Sequence, residues 1–251
     1  MCKIKSGIVL KDKVFMPMDY DSHEEMIKEL GLKDNTKNPD FVRVEITPKD
    51  GNIFNHDLEN WELQVDQDFK PDWFSKKFAE VEMKKELKNW WKERFIISGK
   101  IDKIDKGRWF LGGSTQVKNI CGSTQVKNIC GSAQVKNICG SAQVENICDS
   151  AQVKYIYGSA QVKNICGSAQ VKYIYDSAQV KNIYGSAQVE NIYDSAQVKN
   201  ICGRALCAFT GDKATYKTIK ENGVAILYYK DNPEIVVANK NIKLTQFEAK
   251  K

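Results

Sequence analysis

The chain has 251 residues, 42% hydrophobic and 28% charged, a composition typical of a folded protein with one large or two modest domains. Its net charge of +6 is uneven, at −1 for residues 1–112, +3 for 113–202 and +4 for 203–251, which permits an acidic or nucleic-acid partner without requiring one. Because no run of about 18 apolar residues exists and the start lacks an apolar segment with a cleavage site, we expect no membrane helix, no secretory signal and a cytoplasmic location.

Residues 1–106 predict an α+β globular domain. Gly7–Met18 is predicted to contain one or two strands, and alternation of apolar and polar residues indicates further strands at Phe41–Ile46 and Trp61–Gln67. Ser22 and Glu25 form a capping box at the start of a short helix, and Gly31 provides its C-terminal stop. This unit therefore mixes helix and strand, unlike the repetitive segment that follows it.

A second helix is predicted from Pro71 onward, because proline is compatible with the first helical turn. Its apolar stripe comprises Phe74, Phe78, Val81, Leu87, Trp91 and Phe95. Trp90 is adjacent to Trp91, so we expect it to leave the stripe and to be an exposed interface candidate. Lysines and arginines flank the aromatic residues, which leaves two interpretations: a core-packing helix with a solvated face, or a helix that binds a partner or nucleic acid.

Ten nine-residue repeats occupy residues 113–202. The third repeat, GSAQVKNIC from Gly131 to Cys139, is the template, and each position is a slot named after its template residue. Every repeat keeps Val and Ile in their slots and Ala or Thr in the Ala slot, whereas a Gly or Asp plus a Ser in every repeat argues against a helix. Short strands with turn residues at a fixed period predict a β-solenoid.

The substitutions among the repeats indicate that each coil contains two repeats. Tyr155 and Tyr173, both in the Asn slot, are separated by two repeats, an offset of 18 in residue number. The same offset groups Cys121, Cys139, Tyr157, Tyr175 and Tyr193 into one column and Cys130, Cys148 and Cys166 into the opposite one. The repeats therefore predict five coils with ladders of Gln, Lys and Asn on the outside. A core of Ala, Val and Ile is too narrow for Tyr, which places the Cys slot outside or at a corner.

The flanking segments predict caps for the ends of the solenoid, which would otherwise act as templates for aggregation. GRWFLG at residues 107–112 is bulky and apolar, so residues 107–202 are predicted as the solenoid with its N-terminal cap. Residues 203–251 are predicted as a β-rich C-terminal cap. Within it, Val224–Tyr229 and Glu234–Asn239 are typical of a hairpin, and Lys243–Phe247 of a further strand.

The sequence lacks the motifs of nucleotide-binding, serine-hydrolase and HExxH metalloprotease sites, and its repeat lacks the ligands of calcium-binding nonapeptides. Six cysteines share one slot with four tyrosines, which contradicts a disulfide framework and favours free thiols. The acidic pairs at 19–21 and 66–68 are typical of turns, and His23 in the capping box is expected at the surface. We therefore expect no catalytic residues, no cofactor, no metal and no enzymatic activity.

The stretch MCKIKSGIVLKDKVFMPMDYDSHEEMIKELG and the SAQVKNIYG units resemble a family of phage- and prophage-encoded proteins of low-GC bacteria. That family joins an uncharacterised N-terminal module to an Ala-x-Val-rich β-solenoid tail, and the resemblance covers most of residues 1–202. It supplies no catalytic residues. Phage accessory proteins often block host defence machinery, including CRISPR effectors, so the resemblance implies an inhibitor that acts in a bacterial cytoplasm.

Three functions remain open at this point. The first is a non-enzymatic binding protein that occludes a host protein or ribonucleoprotein complex. The second is nucleic-acid binding through the Lys and Asn ladders and the basic C-terminal segment. The third is a structural role, in which the solenoid mediates oligomerisation. The partner-binding candidates are Tyr155, Tyr173, Tyr157, Tyr175, Tyr193, Lys154, Lys172 and Trp90.

Overall fold

The computed structural model describes residues 5–35, 39–211, 213–228 and 234–237. The chain divides into two compact units, Met1–Arg94 and Phe95–Lys251. The α+β class of the first unit and the β-solenoid of the second are confirmed. The predicted boundary after residue 106 is wrong, because strands that pair with the solenoid begin at Phe95.

The N-terminal unit is built on a four-stranded antiparallel sheet with the order β2-β1-β3-β4. Its strands are β1 (Lys5–Val9), β2 (Val14–Phe15), β3 (Val42–Pro48) and β4 (Trp61–Val65). Each of the four overlaps a stretch that was predicted to contain a strand. Apolar side chains of β1 and β3, such as Ile8 and Val44, are fully buried and form the core on which the helices pack.

Two α-helices and a 3₁₀ turn accompany this sheet: α1 (His23–Glu29), the turn Leu58–Asn60 and α2 (Lys76–Arg94). The predicted capping box is confirmed, because the Ser22 hydroxyl accepts a hydrogen bond from the Glu25 N–H at 3.3 Å. Gly31 follows the helix with a φ of 63°, a left-handed conformation that glycine adopts without steric cost.

Helix α2 buries only part of the predicted stripe: Leu87 and Trp91 are buried as expected, but Val81 is not. Ala79, Met83, Leu87 and Trp90 are spaced four, four and three residues apart and are all buried, whereas Val81 is 58% exposed. Trp90 is only 2% exposed, so the expectation of an exposed tryptophan there is wrong. Its spacing from Leu87 carries it inward, where its ring lies 5.2 Å from the Nζ of buried Lys5.

Trp91 is buried beside Trp90 rather than in place of it. Its ring stacks on His56 at 4.5 Å and meets Trp61 edge-on at 5.4 Å. Two adjacent tryptophans are both buried because the apolar stripe of α2 is wide enough at this turn to include positions three and four residues after Leu87.

The second unit is a solenoid of two parallel sheets that the chain visits alternately. Its strands are β5 (Phe95–Ile96), β6 (Lys100–Ile104), β7 (Arg108–Leu111), β8 (Gln116–Ile120), β9 (Gln125–Ile129), β10 (Gln134–Ile138), β11 (Gln143–Ile147), β12 (Gln152–Ile156), β13 (Gln161–Ile165), β14 (Gln170–Ile174), β15 (Gln179–Ile183), β16 (Gln188–Ile192), β17 (Gln197–Ile201), β18 (Leu206–Phe209), β19 (Thr215–Ile219), β20 (Val224–Leu227) and β21 (Glu234–Val237). The even-numbered strands β6 to β20, with β21, form what we call the tyrosine sheet. The odd-numbered strands β5 to β19 form the asparagine sheet.

The predicted coil of two repeats is confirmed by the strand register. Gln134 pairs with Gln152 and Tyr155 with Tyr173, so equivalent slots of alternate repeats lie directly above one another. The solenoid has about seven such coils over residues 95–227 rather than five, because β6, β7, β18 and β19 join the same ladders. The eight parallel strands of the tyrosine sheet rise about 34 Å at ~4.8 Å per strand.

The core contains the slots that the sequence keeps constant. Across the ten repeats every Ile is fully buried and every Val is at most 3% exposed. Thr115 and Thr124 take the Ala slot in the first two repeats and are also fully buried. Their hydroxyls donate to the carbonyls of Gly112 at 2.8 Å and Cys121 at 2.6 Å, which satisfies the buried oxygen atoms.

The Gly slot forms a corner, as predicted. The three aspartates in this slot have φ values of 51–55°, close to the left-handed conformation of the glycines they replace. A Cβ on Gly131 would lie 2.9 Å from the Gly113 backbone nitrogen, so close stacking of the corners also limits the side chain. Asp149 occupies such a corner while its carboxylate accepts a 2.9 Å hydrogen bond from the Gly131 N–H in the coil below.

The flanks of the repeats differ in part from the predicted caps. Residues 108–111 form β7, whose Phe110 and Leu111 lie in the core, so this segment continues the solenoid instead of plugging it. Downstream, β18, β19 and β20 also continue the parallel ladders. The predicted hairpin is confirmed, because β20 pairs with β21 in antiparallel fashion. The strand predicted at Lys243–Phe247 lies outside the described residues.

Candidate binding surfaces on the two sheets

Five tyrosines, Tyr155, Tyr157, Tyr173, Tyr175 and Tyr193, form one aromatic cluster on the tyrosine sheet, which we call the tyrosine patch. Tyr155 and Tyr173 stack with ring centroids 5.3 Å apart. Tyr175 stacks between Tyr157 and Tyr193 at 5.1 Å on either side, with ring planes within 4° of parallel. The two stacks meet edge-on at 6.3 and 6.4 Å, which is a favourable aromatic geometry.

The patch is rigid because the backbone ladder sets its spacing. Tyr155 and Tyr173 are register partners on β12 and β14, and each ring is half-buried against its neighbours. Parallel strands lie about 4.8 Å apart, so the rings stack without any adjustment of the coil. Few rotamers are available to rings held in such stacks, so little side-chain entropy remains to be lost on binding.

Two predicted cations flank the patch. The Nζ atom of Lys154 lies 4.9 Å from the Tyr155 ring centroid, and that of Lys172 lies 5.5 Å from the Tyr173 ring centroid. Both distances fall within the range of cation–π attraction. Seven of the predicted site residues therefore lie together on one surface, whereas Trp90 is buried in the N-terminal unit.

The Lys slots of the tyrosine sheet form a row whose ends are acidic. The row runs Asp102, Lys118, Lys136, Lys154, Lys172 and Glu190. The Nζ atom of Lys118 lies 3.9 Å from a carboxylate oxygen of Asp102, at one end of the row. With the parallel Gln row, this row lines a groove of about 830 Å³. The acidic residues end the run of four consecutive lysines in this row, and Lys100 adds a further cation at the end of the Gln row.

The asparagine sheet carries a continuous amide ladder where the tyrosine sheet carries rings. The ladder consists of Asn128, Asn146, Asn164, Asn182 and Asn200. Each upper amide nitrogen donates to the oxygen of the asparagine one coil below, at 2.7–3.0 Å. Because these side chains are half-buried, the ladder satisfies polar groups that would otherwise be desolvated without a partner.

The thiols of the Cys slot lie in weakly reactive surroundings. All seven cysteines in the described ranges are free. A hydrogen bond with Cys130, together with burial, raises the pKa of the Cys148 thiol, and burial raises that of Cys166. A raised thiol pKa keeps the thiolate fraction small at neutral pH, which disfavours nucleophilic chemistry at this column.

The phenols are also held in their neutral form. A hydrogen bond with Cys139 and burial raise the pKa of Tyr157 to about 12. Burial is the largest cause of the raised pKa values of Tyr175 and Tyr193. These three tyrosines therefore present uncharged rings at neutral pH.

One group of donor atoms within the described ranges is close enough to share a metal ion. The Sγ atoms of Cys130 and Cys148 and a carboxylate oxygen of Asp149 lie within 4.8 Å of one another. The Asp149 carboxylate already accepts from the Gly131 N–H, as that of Asp176 does from the Gly158 N–H at 3.1 Å. Its position is thus explained by the corner ladder, and no metal is needed to account for it.

The acidic residues near the start of the chain are engaged in structural contacts. Asp19 pairs with Arg94 at 2.9 Å and Asp21 with Lys5 at 2.8 Å. The expectation that His23 lies at the surface is wrong, because it is buried and its Nε2 atom is 3.1 Å from a backbone carbonyl oxygen. These contacts tie the loop before α1 to its surroundings instead of forming a pair of carboxylates for acid–base chemistry.

Sequence reasoning missed two residues of the charged rows. Lys217 on β19 continues the Lys slots of the asparagine sheet two repeat lengths after Lys199, so extending the period past the last repeat would have found it. Asp102 on β6 lies beside Lys118 although fewer residues separate the two than a full coil contains, because the first coil is shorter. The repeat period therefore contains no signal for Asp102.

A scan against protein-family models, a search of curated proteins and a search of solved structures each found no match for this chain. Among the helices that the structure describes, none combines the length and hydropathy of a membrane-spanning segment.

Proposed function

We propose that this chain is a non-enzymatic binding protein that uses the tyrosine patch to hold an acidic surface of a protein partner. The observation that carries the proposal is the rigid five-ring cluster with Lys154 and Lys172 beside it. Tyrosine is enriched among the residues that dominate interface energies, and lysines at the rim complement carboxylates and steer association.

The ring geometry favours a protein over a nucleic acid at this patch. A single-stranded nucleic acid would stack its bases on ring faces. Both faces of Tyr175 are covered by Tyr157 and Tyr193, and the ladder prevents these rings from separating to admit a base. Ring edges remain accessible, and they suit the side chains of a protein partner.

The resemblance to phage-encoded proteins suggests where to look for the partner. Under this proposal the partner is a bacterial host protein or ribonucleoprotein complex, and occlusion of its working surface inhibits it. A defence effector of the CRISPR type is the first candidate to test. The rigid solenoid suits this role, because a preorganised surface loses little entropy on binding.

The test compares the chain with a variant in which the patch is returned to the consensus of its own repeats. This variant carries Tyr155→Asn, Tyr173→Asn, Tyr157→Cys, Tyr175→Cys and Tyr193→Cys. Because the other repeats use Asn and Cys in these slots, the coil is expected to remain folded. The matched control is Tyr184→Cys, which makes the same change to an exposed tyrosine on the asparagine sheet.

Purified candidate effectors are measured for binding by calorimetry and for inhibition in their own activity assays. We expect the wild type and the control to bind and inhibit equally, and the patch variant to lose at least ~10-fold in affinity. Equal binding by the patch variant would reject the patch as the site. Light scattering tests the oligomer alternative, because a wild-type dimer that the patch variant abolishes would assign the surface to a second copy of the chain.

A further inference from the structure

The asparagine sheet carries an uninterrupted run of four lysines. Its Lys slots are Lys127, Glu145, Lys163, Lys181, Lys199 and Lys217. Lys127 forms an ion pair with Glu145. The last four lysines are exposed, and none pairs with a carboxylate of the described residues. Their in-register strands lie ~4.8 Å apart, so the four cations extend over about 14 Å along the solenoid axis.

A row of amides runs parallel to these cations. It consists of Gln143, Gln161, Gln179 and Gln197 and ends at Thr215, all exposed. On each strand the amide and the lysine are two residues apart, so the two rows are separated by about 7 Å. The Val slots form the floor between them, and the groove has a volume of about 850 Å³.

The width of this groove determines which kinds of ligand fit into it. A separation of about 7 Å accepts one extended chain but is narrower than an α-helix with its side chains, at ~10–12 Å. A double helix would rest on the rims and reach the lysines from outside. The groove therefore fits a single strand that lies along the solenoid axis.

We propose that the groove of the asparagine sheet binds single-stranded nucleic acid, with phosphates along the lysine row and bases or sugars toward the glutamine row. Four nucleotides at ~3.4 Å each occupy about 14 Å, so each of the four lysines has about one phosphate within reach. Glutamine amides both donate and accept hydrogen bonds, as base edges and sugar hydroxyls do. An inorganic polyphosphate offers acceptors alone and would leave the glutamine carbonyls without donors.

This site is separate from the proposed protein-binding function. It lies on the other sheet of the solenoid and shares no residue with the tyrosine patch. The two proposals can therefore fail independently. The groove of the tyrosine sheet is the weaker candidate, because Asp102 lies near Lys118, and Lys154 and Lys172 lie against tyrosine rings.

The experiment measures fluorescence anisotropy of a short labelled oligo-dT with the full chain. The test variant is Lys181→Glu with Lys199→Glu. The chain itself uses glutamate in this slot at Glu145 and Glu190, so the fold is expected to accept the change. The matched control, Lys118→Glu with Lys136→Glu, makes the same charge change on the tyrosine sheet. A neutral pair, Lys181→Gln with Lys199→Gln, separates loss of contacts from charge reversal.

We expect the wild type to bind oligo-dT with a slope of log affinity against log salt of about −3, the value for four phosphates on a single strand. The test variant is expected to lose at least ~10-fold in affinity, the neutral pair less, and the control less than ~3-fold. Equal losses of affinity in the test variant and the control would show that binding depends only on net charge, and this result would overturn the proposal. Tighter binding of a duplex or of polyphosphate, or a flat salt dependence, would also overturn it.

Discussion

The tyrosine sheet and the asparagine sheet are made from the same nine-residue repeat, yet their outer surfaces differ. Both bury Val and Ile in the same register, and both turn at Gly or Asp corners. They differ in the Asn and Cys slots, where one sheet stacks five tyrosines and the other stacks five asparagines and holds thiols in all Cys slots but that of Tyr184. The comparison shows that this fold separates its core from its surface chemistry, because outward side chains contact mainly their own kind one coil away.

The two kinds of ladder stabilise the solenoid in different ways. The asparagine ladder satisfies half-buried amides along the axis, and each bond depends on the amide below it. The tyrosine stacks bury apolar ring surface instead, and they interrupt the amide ladder of their sheet after Asn137. The asparagine sheet is therefore expected to contribute more polar stabilisation, whereas the tyrosine sheet presents more binding surface.

The largest expected effect tests whether the shared core is equivalent on the two sheets. Ile156 of the tyrosine sheet and Ile165 of the asparagine sheet are both fully buried. We expect Ile156→Ala and Ile165→Ala each to lower the free energy of unfolding by about 2–5 kcal/mol, because each removes buried methyl groups and leaves a cavity. Urea titration measures both. Gln161→Ala, at an exposed slot, is the control and should change stability by less than ~0.5 kcal/mol. A large difference between the two isoleucines would contradict a common core.

A smaller effect separates the sheets at the Asn slot. Asn164 donates to Asn146 and accepts from Asn182, at 2.9 Å each, so Asn164→Ala breaks two bonds and leaves two half-buried amides without these partners. We expect a loss of about 1–3 kcal/mol in the free energy of unfolding. Asn191→Ala is the matched change on the tyrosine sheet, where the register neighbour is Tyr173. Equal losses at both positions would show that the ladder adds no stability of its own.

The smallest expected effect is a fall in stability at alkaline pH that depends on the tyrosine patch. The folded chain raises the pKa of Tyr157 from 10.0 to about 12, so it holds the phenol proton more tightly than the unfolded chain does. This stabilisation is complete below pH 10 and is lost as the pH rises from 10 toward 12. Thermal melting at increasing pH should show a shallower fall for Tyr157→Phe than for the wild type. Tyr228→Phe, at a half-exposed tyrosine outside the patch, is the control for the loss of a phenol hydroxyl.

Most of the N-terminal unit could be predicted from local patterns, but the orientation of α2 could not. Alternation located β3 and β4, the stretch 7–18 was predicted to contain the strands that became β1 and β2, and Ser22 with Glu25 located the first helix cap. The aromatic residues of α2 suggested a stripe through Val81, which is exposed, and left out Trp90, which is buried. Several stripes satisfy a helical period when aromatics are dense, and packing against the sheet decides which of them is buried.

The candidate sites likewise contain some features that the sequence predicts and others that only the structure reveals. The tyrosine columns follow from an offset of two repeats that is visible in the sequence, and the register confirms them. Asp102 lies on β6 at the acidic end of a lysine row, and the sequence did not predict this position. The coil that contains β6 is shorter than two repeats, so the repeat period does not lead to Asp102. The grooves between the Gln and Lys rows could be recognised only in the structure. Alternation along a strand places both rows of side chains outward, but it does not show the space between them.

By itself the sequence determined the repeat, the length of the coil, the inward slots and the stacked columns. These properties are local, because in a solenoid each residue meets an equivalent residue at a constant offset, and a constant offset can be read along the chain. Only the tertiary structure decided how far the solenoid extends and which face of α2 is buried. Those outcomes depend on pairing between segments that lack the repeat's sequence or its spacing. Phe95 of β5 pairs with Phe110 of β7, and Lys100 of β6 pairs with Gln116 of β8, at offsets shorter than two repeats, so the long-range contact itself selects the register.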